Sequence, residues 1–204
     1  MSSVSETIVR EYFELHEFLV RQPRKYISHT RREEDDIDFF VQNPRPLPAA
    51  PERPFVLSSP DLRFVERAIV VVKGWHTETF SSGVLSHAPA IFRFVEPKAL
   101  QKAARALGKD GSVLKILVVP ALPQSDPARE ESIALLRSKG VDAAIPFRTM
   151  LVDLVGHVAV NRNYQKSDLL QVLRILKNYD FFREPQLELF KSKRKRAGKI
   201  PAPE

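Results

Sequence analysis

The chain has 204 residues, a net charge of +7 at neutral pH and no cysteine. That length suits one ordinary domain with appendages and is enough to bury a core without staples. The lack of cysteine excludes a disulfide framework, a thiolate metal site and a cysteine nucleophile. With 43% hydrophobic and 28% charged residues, the composition reads as globular rather than disordered. No apolar run approaches the roughly 18 residues of a membrane span, and Met1 to Arg10 lacks a basic-then-apolar leader pattern. A soluble, cytoplasmic protein without a membrane partner is expected.

The charge is unevenly placed. Lys191, Lys193, Arg194, Lys195, Arg196 and Lys199 face only Glu204, so the last 14 residues hold +5 of the +7. The other 190 residues carry +2. Such a tail binds nucleic acid or simply keeps a protein soluble. The expected organisation is one α/β domain over 1–182 and a flexible basic tail over 183–204.

In chain order, Ile8, Val9, Tyr12, Phe13 and Leu15 form a helical stripe over Ser5–His16, with Ser5 as its N-cap. Phe18 to Tyr26 reads as a strand with a basic end. Ile37, Phe39 and Val41 alternate with Asp36, Asp38 and Phe40, which predicts a second strand with two distinct faces. Five prolines between Asn43 and Pro54 demand an extended surface connection. The apolar run Ala68–Val72, ending in Lys73-Gly74, is short and β-branched, so it reads as a buried strand. Gly74–Pro89 reads as a loop anchored by Trp75 and Phe80, and a helix follows from Pro97 to Leu107.

The remainder is more regular. Leu114–Val119 is a strand. Pro127–Lys139 is a helix capped by Asp126, with Gly140 just past its end. Val141–Phe147 is the next strand, and this β-α-β spacing implies parallel pairing. Helices over Thr149–Val160 and Ser167–Asn178 complete the pattern. The whole describes an α/β sandwich with a central mixed sheet, its early strands a meander.

Three residues could carry chemistry: Glu6 at the start of the first helix, Asp38 in the second strand, and Lys73 at the end of the third. Each also has a structural explanation. Glu6 suits the positive end of a helix dipole. Asp38 among Ile37, Phe39 and Phe40 is costly to bury unpaired, and a salt bridge to Lys73 would satisfy both.

In this order, Ser5-Glu6, Glu17-Phe18-Leu19-Val20, Asp36-Ile37-Asp38 and Val72-Lys73-Gly74 resemble the core of the PD-(D/E)xK, or restriction-endonuclease-like, nuclease superfamily. The resemblance covers about residues 5–75 by motif and 114–147 by element order alone. It implies a restriction-endonuclease-like central mixed sheet flanked by helices, with additional C-terminal helices. It also implies Glu6 and Asp38 as ligands of Mg2+ (or Mn2+), Asp38 and Lys73 as catalytic residues, and DNA as the nucleic-acid partner. Homodimers are common among such nucleases.

The chain departs from that pattern at one position. The family's acid two residues before the lysine is Val71 here. Residues two apart on a strand share a face, so the acid would share the lysine's face, and the resemblance implies that it joins Asp38 in fixing the ion that acidifies a water. Valine cannot replace it. Glu66, Glu78 or Glu96 could supply a relocated acid, Glu6 and Asp38 could suffice with water, or the fold could bind without cutting. The last case is an inactive nuclease-like module for nucleic acid or protein. A small-molecule enzyme on an unrelated α/β fold would need a deep apolar pocket with convergent polar groups, and no motif calls for one.

Other features are weaker. Pro97 argues against Glu96-Pro97-Lys98 as a strand-borne site and for a helix start. His16, His29, His76, His87 and His157 include no pair at i, i+3 or i+4 on one element, so no zinc site is expected. His76 could approach the Lys73 pocket. Arg21, Arg24, Lys25, Arg31, Arg32, Arg162 and Lys166 could contact phosphates. Trp75, Tyr26 and Tyr164 could stack on bases.

Overall fold

A computed structural model describes residues 3–23, 37–48, 53–108 and 112–182. Arg24, Lys25, Tyr26, His29, the charged run 31–36 and the tail 183–204 lie outside them. The chain divides into two compact units, 1–158 and 159–204. The sheet and every residue singled out for catalysis belong to the first. In the second, α6 (Asp168–Asn178) is capped by the Ser167 hydroxyl, which accepts from Leu170 N, and Tyr164 Oη accepts from Ala159 N at 2.9 Å.

The first unit is α/β, with a five-stranded mixed sheet flanked by helices. The strands are β1 (Leu19–Arg21), β2 (Phe39–Gln42), β3 (Arg67–Val72), β4 (Leu114–Val119) and β5 (Ala143–Pro146), in that spatial order. β1, β2 and β3 form the antiparallel meander, with Val20 opposite Val41 and Phe40 opposite Ile69. β4 and β5 add in parallel, with Val70 opposite Ile116 and Val118 opposite Ile145.

β3 lies at the centre and is buried along its whole length. A continuous β-branched run is what a strand covered on both faces requires. On one face Ile69, Val71, Leu117 and Val119 join Phe80, Leu85, Ile91, Phe94, Ala99 and Leu136. Those partners come from α2 (Ser82–His87), a 3-10 helix at Pro89–Val95, α3 (Pro97–Leu107) and α4 (Asp126–Ser138), with Phe80 just before α2. The alternate residues Ala68, Val70, Val72, Ile116 and Val118 are also buried and point to the opposite face. There α1 (Ser3–Leu15) contacts β3, α5 (Phe147–His157) contacts β5, and the two helices contact each other. Covering on both faces also explains why Phe39, Phe40 and Val41 of β2 are all buried, with only its last residue, Gln42, exposed.

Local chemistry sets the element ends. α1 begins two residues before the expected cap, and Ser5 lies inside it, buried. α4 begins at Asp126 with Ser125 as its cap, one residue earlier than expected. It ends where Gly140 adopts φ 89°, and Val141 N donates back to Leu136 O, a Schellman closure. The turn 74–89, expected as loop, contains α2 because the Ser81 hydroxyl caps Val84 N. The proline-rich connection leads to Phe55–Leu57, which bonds both sides of Ala144 and covers the outer edge of β5. Coverage of that kind stops a free edge from pairing with another chain.

α1 ends in the same closure as α4, with Phe18 N donating to Phe13 O, but Glu17 occupies the left-handed position at φ 63°. A non-glycine residue costs about 1–2 kcal/mol there. The exposed Glu17–Arg45 ion pair offsets little of that. Glu17→Gly is therefore expected to stabilise the chain by about 0.5–1 kcal/mol net of glycine's unfolded-state entropy, raising Tm by about 1–4 °C.

Tyr12 is fully buried at the middle of α1, and its hydroxyl meets Ser59 Oγ at 3.0 Å. Burial pushes its pKa up to about 12, against the opposing effect of the Ser59 bond. Between the ordinary value of 10.0 and about 12, the unfolded chain releases this proton while the native chain keeps it. Stability must then fall as pH rises through that window. In urea titrations, the stability difference between wild type and Tyr12→Phe should shrink by about 2–3 kcal/mol from pH 9 to 12.

Candidate functional site

Asp38 immediately precedes β2 and is 3% exposed. Its backbone N–H donates to Val70 O at 3.1 Å, and its carboxylate Oδ2 accepts from Val72 N at 2.8 Å. The carboxylate thus continues the β2–β3 ladder one step past its last paired residue. It also stands beside the backbone of the residue preceding Lys73.

Lys73 leaves β3 half-buried, its N–H donating to Val118 O at 3.0 Å. The next residue brings in α1. A Cβ placed on Gly74 would lie 2.6 Å from Ser5 Oγ and 3.2 Å from Ser5 Cβ. Only glycine lets the backbone approach the helix this closely. Ser5 Oγ is in turn 3.0 Å from His76 Nε2, and the His76 ring stands edge-to-face on Phe147 at 4.6 Å.

The structure therefore brings Asp38, Lys73, His76 and the first turn of α1 to the C-terminal end of β3. Glu6 follows Ser5 in that turn, half-buried, and its Oε2 accepts from Gln22 Nε2 at 2.6 Å. Val71 is 2% exposed, packed in the apolar cluster with Ile37, Phe40 and Phe80. The position where the resemblance wants an acid is part of the apolar core.

The relocated acids separate clearly. Glu66 precedes β3, and its carbonyl accepts from Asn43 N. The six residues of β3 put it about 20 Å from the Lys73 end. Glu96 caps α3. Glu78 sits in the turn that follows His76, its N–H donating to Trp75 O at 2.8 Å. It alone of the three leaves from the same strand end. Among the described residues, no group of three or more His, Asp or Glu side chains could hold a metal ion.

A second polar cluster lies elsewhere, on the α1–α5 side. His16 Nε2 donates to Asp153 Oδ2 at 2.6 Å, and His157 Nδ1 donates to Asp153 O at 2.9 Å while standing 3.4 Å from Oδ1. Sequence spacing within one element could not find it, because His16 and Asp153 are 137 residues apart. The Asp153–His157 i, i+4 pair on α5 was the legible signal.

No family model, no curated protein and no solved structure matches this chain. The class of protein is accordingly set by its own geometry. It is an α/β protein with a mixed five-stranded sheet, polar residues gathered at the end of its central strand, and no helix among the described residues long and apolar enough to cross a membrane.

Gly74→Ala is expected to cost about 1–3 kcal/mol by driving a methyl group into Ser5. Ser5→Ala removes the atom at 2.6 Å, so in the double variant the two costs should not add. Thermal unfolding of the cycle should give a coupling of at least about 0.5 kcal/mol.

Proposed function

We propose that the chain is a nuclease-superfamily protein of restriction-endonuclease-like fold that binds and cleaves DNA in the cytoplasm by metal-dependent phosphodiester hydrolysis. The supporting observation is convergence. Asp38 and Lys73, 35 residues apart in sequence, are brought to one strand end by the Asp38–Val72 bond. The first turn of α1, which bears Glu6, is held there by the Ser5–Gly74 approach. Magnesium commonly takes one or two carboxylates and keeps several waters. Asp38 and Glu6 would be its protein ligands, with Glu78 the acid on the adjoining turn. When bound, the ion would supply an acidified water. Lys73 offers a positive charge to the developing phosphorane, and the half-buried position keeps that charge effective.

A second reading is favoured by a specific observation. Asp142 precedes β5 just as Asp38 precedes β2, and its Oδ2 accepts from Lys115 N at 2.9 Å. That carboxylate completes a ladder and also pairs with Lys115 Nζ. Asp38 uses its Oδ2 in the same way, and Val71 is packed in the apolar core. On this reading the strand end is structural, and the protein is a catalytically inactive nuclease-like module that binds nucleic acid or protein.

The two readings part in a cleavage assay on supercoiled and branched DNA with Mg2+ or Mn2+ at low salt. Asp38→Asn is the informative variant, because its amide oxygen still accepts from Val72 N while the charge is gone. Hydrolysis predicts metal-dependent cutting by wild type, reduced about a hundredfold or more in Asp38→Asn and in Lys73→Ala. No cutting by folded wild type, with Asp38→Asn as stable as wild type and indifferent to Mn2+ in thermal unfolding, establishes the inactive module.

A further inference from the structure

Two adjoining hollows flank the Asp153–His157 cluster, of about 570 and 420 Å³, and share Ser59, Pro60, Asp153 and His157. The larger is walled by Ser59, Arg148, Thr149, Asp153, Gly156 and His157 among others. Its charges are lopsided in availability. The Asp153 carboxylate is already engaged by two imidazoles. Arg148 is exposed and forms no ion pair or hydrogen bond among the described residues. His157 spends Nδ1–H on the Asp153 carbonyl, which leaves Nε2 as its working atom. The Thr149 hydroxyl adds a donor, and the Ser59 hydroxyl, already 3.0 Å from Tyr12 Oη, adds another where Tyr12 supplies the proton of that bond. Such a set suits an oxyanion, and a planar guanidinium suits a phosphate above all.

Gly156 is an independent sign. It is the penultimate residue of α5 and is exposed, in a last turn where alanine would still be the better helix former. No atom of the described residues lies within 4 Å of the Cβ it lacks, so no described neighbour requires glycine there. Its missing side chain instead leaves one wall of the hollow open. An occupant that approaches the α5 backbone gives a reason for glycine that packing does not.

We infer that this hollow is a phosphomonoester-binding site, with Arg148 as the principal charge, Ser59, Thr149 and His157 as further contacts, and Gly156 as the surface against which the ligand lies. The site is separate from the end of β3 and does not depend on the nuclease reading. The same dianionic group occurs on small metabolites and at the 5′ end of a polynucleotide, and both present it alike.

The test uses the full chain. Inorganic phosphate is titrated at constant ionic strength while histidine side-chain resonances are followed by NMR, with chloride as control. Saturable shifts of His157 and His16 are expected, with affinity weakened about tenfold in Arg148→Ala, the scale of one charge-assisted contact. Gly156→Ala should weaken it by at least a similar factor without lowering Tm, since the methyl meets no protein atom. A second arm compares 5′-phosphorylated with 5′-hydroxyl oligonucleotides, which cancels any contribution of the basic tail. A preference for the phosphorylated end that Gly156→Ala abolishes assigns the site to polynucleotide termini. Binding of inorganic phosphate and phenyl phosphate without that preference assigns it to small phosphomonoesters. Absence of saturable shifts, or unchanged phosphate affinity in both Arg148→Ala and Gly156→Ala, overturns the proposal.

Discussion

The hydrogen bond from Val72 N to the Asp38 carboxylate is the constraint on which the end of the sheet depends. Val72 is fully buried at the last position of the central strand, opposite the segment that leads into β2, and its N–H goes to the Asp38 side chain. An unsatisfied amide there would cost about 1–3 kcal/mol. A carboxylate closes the ladder instead, and closes it beside Lys73. Whatever else Asp38 does, it first holds the start of β2 to the end of β3. Catalysis at this place would use a group that the fold already needs.

That double duty separates the two readings of the strand end. A carboxylate engaged by a backbone amide still presents a second oxygen and its charge, so the bond is compatible with a metal ligand. The residue that decides is Val71. On an active site of the kind the motif order suggests, that side chain belongs with the carboxylates. Here it belongs with Phe40, Phe80 and Leu117 in the core, and an acid in its place would be buried in hydrocarbon at a cost of several kcal/mol. The apolar face below Asp38 is therefore not a neutral substitution within an otherwise intact site. It is part of the packing of α2 and α3 on the sheet, and any hydrolytic competence must come from the other side of Asp38, where α1 and the turn 75–78 lie.

The strands were legible because each carried its own local signal. Ala68–Val72 and Leu114–Val119 are β-branched runs too short for helices, and Asp126-Pro127 and Gly140 punctuate α4 with backbone chemistry that depends on no distant contact. What could not be read from sequence depended on contacts between distant segments. Ser5 was expected to cap a helix, a local role. Its actual role, filling the space above Gly74 and bonding His76, exists only once residues 71 apart meet. The loss of alternation in β2 has the same origin, since its polar face disappears only when helices cover both sides of the sheet. Likewise the segment Phe55–Leu57 carried no strand signal of its own, and becomes extended by borrowing the free edge of β5. Of the candidate site, the order of Glu6, Asp38 and Lys73 was visible, and so was the gap at Val71. The His16–Asp153–His157 cluster was not, because it spans nearly the whole first unit.

Two glycines mark two different kinds of constraint. Gly74 is required by the fold itself, since a methyl group at that position would overlap Ser5, and removing it trades directly against stability. Gly156 is not required by any neighbour, and a helix would be better served there by alanine. Among the described residues packing gives no reason for glycine there, and the proposed ligand supplies one. The two positions also differ in what surrounds them: Gly74 closes a gap between a strand end and a helix, whereas Gly156 keeps one open beside an uncommitted arginine. Polar groups at the end of β3 are largely committed to each other and to the backbone, while around Gly156 the Ser59 hydroxyl meets Tyr12 and Arg148 forms no ion pair or hydrogen bond among the described residues. Among the described residues, the α5 hollow sets an exposed, unpaired arginine near an open stretch of helix backbone, the two features by which an anion could approach it.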